Sequence, residues 1–191
     1  MKKFLLTVTV LTLAIFFAGC GGGGGSSTQC EGANSGSSNK SESGSVNTKG
    51  VVINGVKWAT CNVGASIPEE FGNYYTWEEA QNVCPKGWRL PTAKELESLV
   101  NAGSKWTNVN GVKGRMFGSG NTTIFMPATG YLHDGGKLFY DGANGYALGN
   151  GTTDGKTTAY YLHFDDDDEE VEVDDTSNQS LHKMSVRCVA K

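Results

Sequence analysis

Cysteines are the most reactive side chains in this 191-residue chain, and there are five: Cys20, Cys30, Cys61, Cys84 and Cys188. A thiolate is a nucleophile, a metal ligand or half of a disulfide. Cys20 sits behind Ala18 and Gly19, small residues that let a peptidase approach the backbone closely. The three histidines, His133, His163 and His182, are isolated and lack metal-ligand spacing. The acidic run Asp165, Asp166, Asp167, Asp168, Glu169 and Glu170 offers oxygen ligands for Ca²⁺ but lacks the EF-hand spacing, and a run of like charges reads first as a solvated loop. Trp106, Tyr131, Phe139, Tyr140 and Tyr146 stand among glycine-rich stretches. Their ring faces suit sugar rings or partner side chains, or else they fill a small core under long loops. Of these, Trp106, Tyr131, Tyr140 and Tyr146 are the candidate ligand-binding residues, and Asp165 to Asp168 the weaker Ca²⁺ candidates. No nucleophile elbow, phosphate loop or dinucleotide fingerprint occurs, so no catalytic residue and no cofactor is expected.

The start of the chain sets its compartment. Met1-Lys2-Lys3 precedes an apolar run from Phe4 to Ala18, too short for a comfortable membrane span of roughly 20 residues. The run ends in Phe17-Ala18-Gly19-Cys20, which resembles a bacterial lipobox, with Phe17 where Leu, Val or Ala is commoner. Residues 1–19 therefore read as a lipoprotein signal peptide, with Cys20 the acylated first residue of an exported, lipid-anchored protein. That places it in the cell envelope, as an outer membrane lipoprotein and a candidate for surface exposure. Removing Lys2 and Lys3 from the 16 basic residues leaves 14 against 20 acidic ones, which argues against nucleic acid as a partner. The membrane partner is reached through the lipid.

Residues 20–50 carry almost no apolar side chains and read as a linker. Residues 51–191 are the right length for one domain. Val51–Ile53 and Val56–Ala59 flank Asn54-Gly55, a hairpin signal. Helices are expected over Thr76–Val83 and Thr92–Ala102, each opened by a Thr-x-x-Glu capping box, Thr76 with Glu79 and Thr92 with Glu95. Leu96, Leu99 and Val100 make the second helix's buried stripe. After Ser104 the helical period is lost, and short strands are expected at Thr123–Met126, Leu138–Tyr140, Gly145–Leu148, Thr157–Phe164, Val171–Val173 and Ser185–Ala190. Helices early and strands late predict an α+β domain: two short helices packed on short antiparallel strands with long Gly-rich loops.

The segment from Tyr74 to Thr92, with Tyr75, Trp77, Ala80, then Cys84-Pro85-Lys86-Gly87-Trp88-Arg89-Leu90-Pro91-Thr92 and Glu95 beyond, is highly particular. It resembles the Fibrobacter succinogenes major paralogous domain family, as do Trp58-Ala59-Thr60-Cys61-Asn62-Val63 and the ending Ser185-Val186-Arg187-Cys188-Val189. The resemblance spans about Val51 to Lys191 and is loose between Asn108 and Gln179. It implies kinship with the C-type-lectin-like and formylglycine-generating-enzyme fold group, and a Cys84–Cys188 disulfide joining the first helix to the last strand. Trp58, Trp77 and Trp88 match positions that pack the fold. With that bond made, Cys30 and Cys61 either pair with each other or remain an exposed and a buried thiol. The active-site cysteine pair of formylglycine-generating enzymes is missing, and so are the sugar-binding motifs of Ca²⁺-dependent lectins. The expected function is a non-catalytic binding module for a glycan or an envelope protein. The alternatives are a structural adhesin- or fimbria-associated subunit, and an enzyme with a cryptic site.

Overall fold

The computed structural model describes Cys30 and residues 50–167, 171–175 and 182–191. The linker apart from Cys30, and Cys20 with everything before it, lie outside the described residues. Twelve strands and two helices are present among them. The first hairpin pairs β1 (Gly50–Ile53) with β2 (Val56–Ala59) around Asn54-Gly55, as expected. Both turn residues have positive φ, 48° and 81°, the type I′ geometry that Asn-Gly adopts cheaply. Next come α1 (Trp77–Ala80), β3 (Trp88–Arg89) and α2 (Ala93–Asn101). Both capping boxes form: Thr76 and Thr92 accept from the amides of Glu79 and Glu95, whose carboxylates accept in return from the amides of the two threonines.

Beyond α2 the chain is all strand and turn: β4 (Ser104–Val109), β5 (Val112–Ser119), β6 (Thr122–Pro127), β7 (Tyr131–Leu132), β8 (Leu138–Phe139), β9 (Gly145–Thr153), β10 (Lys156–Phe164), β11 (Val171–Asp175) and β12 (Val189–Ala190). They form four small antiparallel sheets, ordered β1-β2-β12-β3, β11-β10-β9, β4-β5-β6 and β7-β8.

The fold is therefore β-rich, which corrects the α+β expectation. Its helices have only four and nine residues. The first ends at Ala80 rather than Val83, because the last amides tighten onto i−3 carbonyls just ahead of Pro85. The larger cause is the stretch 104–119, where no strand was expected. It holds two long strands joined by Asn110-Gly111, with φ of 51° and 90°. Asp154-Gly155, at 53° and 73°, likewise joins two nine-residue strands that run past the expected ends. Thr and Asn in these runs suggest loops by polarity. Thr, however, is β-branched and packs well on a pleated surface.

One expected strand is shorter than the sequence suggests. Of Ser185–Ala190 only Val189–Ala190 is strand, and the rest bonds to several different partners in turn. Lys183 exchanges two backbone bonds with Leu132, and Met184 exchanges two with Tyr75. Ser185 O accepts from Leu148, Val186 O from Val63 and Cys188 O from Ala59. This C-terminal thread is buried from Met184 to Val189.

Two clusters make the interior. One gathers Trp58, Leu96, Leu99, Phe117, Ile124, Leu162 and Phe164, and the other Val63, Ala80, Trp88, Leu90, Leu148, Met184, Val186 and Cys188. Each large apolar side chain buried there contributes about 1.5–3 kcal/mol. The Cys84–Cys188 disulfide closes a separation of 104 residues, with Cα atoms 5.9 Å apart, and Cys30–Cys61 is bonded too, at 5.6 Å.

Arg187 ties the sheets together. Its buried guanidinium donates to Asn62 Oδ1 at 2.9 Å, to Ala59 O at 3.2 Å and to Phe125 O at 3.1 Å. Asn62→Ala would leave a buried charged donor unmatched. It is expected to cost about 1–3 kcal/mol in urea unfolding. An unchanged midpoint would show that this bond does not hold the thread.

Candidate functional site

The candidate aromatic residues converge, with one exception. The β7–β8 hairpin closes through residues 133–137, where Gly135 and Gly136 take positive φ, 93° and 83°. His133 N–H donates to Lys137 O, and Leu132 is locked to Lys183 of the thread. Tyr131, on β7, is the hub. Its ring lies 4.2 Å from His182 and 5.7 Å from Phe139, both stacked. Tyr140 is 5.9 Å away, and Tyr146 on β9 meets it edge-on at 5.4 Å. His133 adds a further ring 5.1 Å from His182, and the Lys137 ammonium sits 4.6 Å over Phe139. Tyr146 continues inward, stacking on His163 at 4.8 Å and reaching buried Tyr161 at 6.0 Å.

Trp106 is elsewhere. It lies on β4 opposite Arg115, half-buried, and packs against the Trp58 cluster. His133 and His182, by contrast, join the patch although sequence spacing marks neither. His133 comes with the β7–β8 hairpin, 6.0 Å from Phe139, and the pairing of Leu132 with Lys183 brings His182 to Tyr131.

Tyr140 is the outermost ring, 57% exposed, where most large side chains of the domain are covered. Its φ is 59°, a region bulky side chains seldom occupy. The conformation is held because its carbonyl accepts from the amides of both Ala143 and Asn144. Gly130 packs against this corner so closely that a Cβ there would collide with the Phe139 carbonyl.

The buried phenols and imidazoles of the patch are uncharged at pH 7, beside the Lys137 ammonium over Phe139. Burial raises the phenols of Tyr131 and Tyr146, with neighbouring tyrosines adding to it. Burial lowers His163, and lowers His182 together with the nearby His133, so both imidazoles are uncharged at pH 7. Beside the patch, the Tyr74 hydroxyl donates to Thr129 O, and burial, then Asp141, pushes it up to about 12. Such groups present faces and hydrogen bonds and carry no charge at neutral pH.

The acidic run starts just after β10. Buried Arg115 donates to the backbone carbonyls of Asp165 (2.9 Å) and Asp167 (2.7 Å) and to Ser104 Oγ. Asp167 N–H bonds Asp165 Oδ1. Asp166 is exposed, and Asp168 lies outside the described residues. Among the described residues no three His, Cys, Asp or Glu side chains are placed to hold a metal ion. No helix among them is long and apolar enough to cross a membrane.

The tryptophans of the particular segment pack the fold. Trp58 and Trp88 are buried, and Trp77 donates to Asn150 Oδ1 at 2.7 Å. Arg89 grips Glu95 through two bonds of 2.7 Å.

These features define a small β-rich domain, tied by two disulfides, that shows one aromatic face. The family model for the Fibrobacter succinogenes major domain matches residues 26–190, and the chain belongs to that family. No curated protein and no solved structure matches the chain.

The Arg89–Glu95 pair makes a pH prediction. Arg89 first, then the Thr92 amide and hydroxyl, hold the Glu95 carboxyl down at about 2 against an ordinary 4.5. Its contribution is therefore complete above pH 4.5 and is lost as pH falls toward 2. Glu95→Gln should lower stability at pH 7 and flatten the acid limb between those values. An unaltered limb would show that other carboxylates carry it.

Proposed function

We propose that this chain is a lipid-anchored protein of the bacterial cell envelope, and that its domain is a non-catalytic recognition module. Its ligand is a glycan, docked by the face of a sugar ring on Tyr140 and Tyr131. Acylated Cys20, made the first residue by removal of signal peptide 1–19, fixes it to the membrane as an outer membrane lipoprotein. The support for the anchor is the basic n-region, the short apolar run and the small residues before Cys20. The disulfide pairs favour an oxidising compartment. Kinship with the C-type-lectin-like fold group is part of this reading. It is supported by the bond from Cys84, just past the first helix, to Cys188, and by the last strand pairing with β2.

The observation that carries the ligand reading is Tyr140. An exposed aromatic ring held at positive φ costs folding energy that an apolar core filler would not. Sugar rings offer C–H faces to aromatic faces and hydroxyls to polar neighbours, and exposed Asp134, Lys137 and Asp141 border this patch. The shifted groups of the patch are phenols and imidazoles that burial keeps neutral, which suits stacking better than proton transfer at pH 7.

Tyr140→Gly separates the two roles. It should leave stability unchanged or raised by up to about 1 kcal/mol, because glycine takes positive φ freely. It should weaken binding on a glycan array about tenfold, the equivalent of about 1.4 kcal/mol. Unchanged glycan binding would remove Tyr140 from the site. An array with no signal, together with one fixed protein neighbour crosslinked on whole cells, would favour a structural subunit instead.

A further inference from the structure

Cys30 lies twenty residues before the first strand, yet it is part of the domain. It is bonded to Cys61, which is buried at the end of the β2 segment. Its amide also donates to Ser66 O at 2.9 Å. The receiving loop is itself fixed: Ala65 N–H donates to Asn62 O, and Asn62 is the partner of Arg187. The family match begins at residue 26 and so takes in Cys30 as well.

The sequence on either side of Cys30 is unequal in one respect. Residues 21–29 contain no Lys, Arg, Asp or Glu, while residues 31–49 contain Glu31, Lys40, Glu42 and Lys49. Every peptide bond of the linker that a trypsin-like or glutamyl protease would cut thus follows Cys30 and precedes β1. Those bonds lie within the covalent loop that the disulfide closes.

We infer that Cys30–Cys61 is a strap that carries the attachment between lipid and domain and takes residues 31–49 out of the load-bearing path. A cut anywhere in 31–49 leaves the domain held through the disulfide. The strap also shortens the leash. The path from Cys20 to the domain is ten residues, at most about 35 Å when extended, against about 100 Å for the thirty residues to Gly50. The loop bearing Cys61 and Ser66 is therefore kept near the bilayer. This inference rests on the lipid anchor at Cys20 proposed above.

The test is limited trypsin digestion of native membranes without reductant, followed by pelleting. The domain should stay in the pellet. It should run as one band on a non-reducing gel and separate into a lipid-bearing peptide and the domain on a reducing gel. A Cys30→Ser, Cys61→Ser double variant should release the domain to the supernatant under the same digestion. Wild-type domain appearing in the supernatant overturns the strap. So does resistance of both Lys40 and Lys49 to trypsin, since a strap has no task where the chain cannot be nicked. Wild-type protein that is soluble before digestion contradicts the lipid anchor alone, because the two gels still read the strap.

Discussion

The buried guanidinium of Arg187 is the constraint on which the other contacts depend. Taking a charge out of water is expensive unless its donors are matched. Its acceptors are one side-chain amide oxygen and two backbone carbonyls, supplied by Asn62, Ala59 and Phe125. Burial lowers its pKa to about 9, which still leaves it charged at neutral pH. Those acceptors come from the end of β2, the loop behind it and β6, so Arg187 is satisfied only when the terminal sheet, that loop and the β4-β5-β6 sheet meet around the C-terminal thread. The neighbouring Cys188 then bonds Cys84, and Val189 enters the terminal sheet between β2 and β3.

The same thread sets the aromatic face. Going backward from Arg187, Ser185 bonds the Tyr146 carbonyl, Lys183 pairs with Leu132, and His182 stacks on Tyr131. Lys183 also meets Glu79, whose carboxylate helps cap α1. The patch is therefore mounted at the start of the buried thread Met184–Val189, although its outer ring stands in solvent. A rigid mount with one exposed aromatic is what recognition of a ring face requires, since little ordering entropy is left to lose on binding.

Parts of this were legible in the sequence because they depend on neighbours a few residues apart. The two Thr-x-x-Glu boxes and the Asn54-Gly55 turn are local chemistry, and each forms where expected. The strands flanking Asp154-Gly155 were expected and only run longer, whereas around Asn110-Gly111 the polar Thr and Asn residues conceal strands that depend on pairing across a sheet. The helix-plus-strand reading failed there. Tyr131, Tyr140 and Tyr146 were legible as aromatics in glycine-rich surroundings. Their union with His182 was not, because it depends on Leu132 meeting Lys183 far along the chain. Trp106 has the same composition around it and belongs to a different cluster. Cys30 illustrates the limit: the sequence leaves its pairing with Cys61 as one of two alternatives within glycine- and serine-rich surroundings, and the structure shows the bond to a cysteine buried in the domain.

The central claim is that lipid at residue 20 holds a disulfide-tied recognition domain outside the cytoplasm. Intact mass measurement of the protein extracted from its own cells tests this most directly. The expected mass lacks residues 1–19, includes a diacylglyceryl group on Cys20, and falls four hydrogens short of the fully reduced chain. A mass that retains residues 1–19, or that leaves Cys20 an unmodified thiol at the new amino terminus, would contradict it.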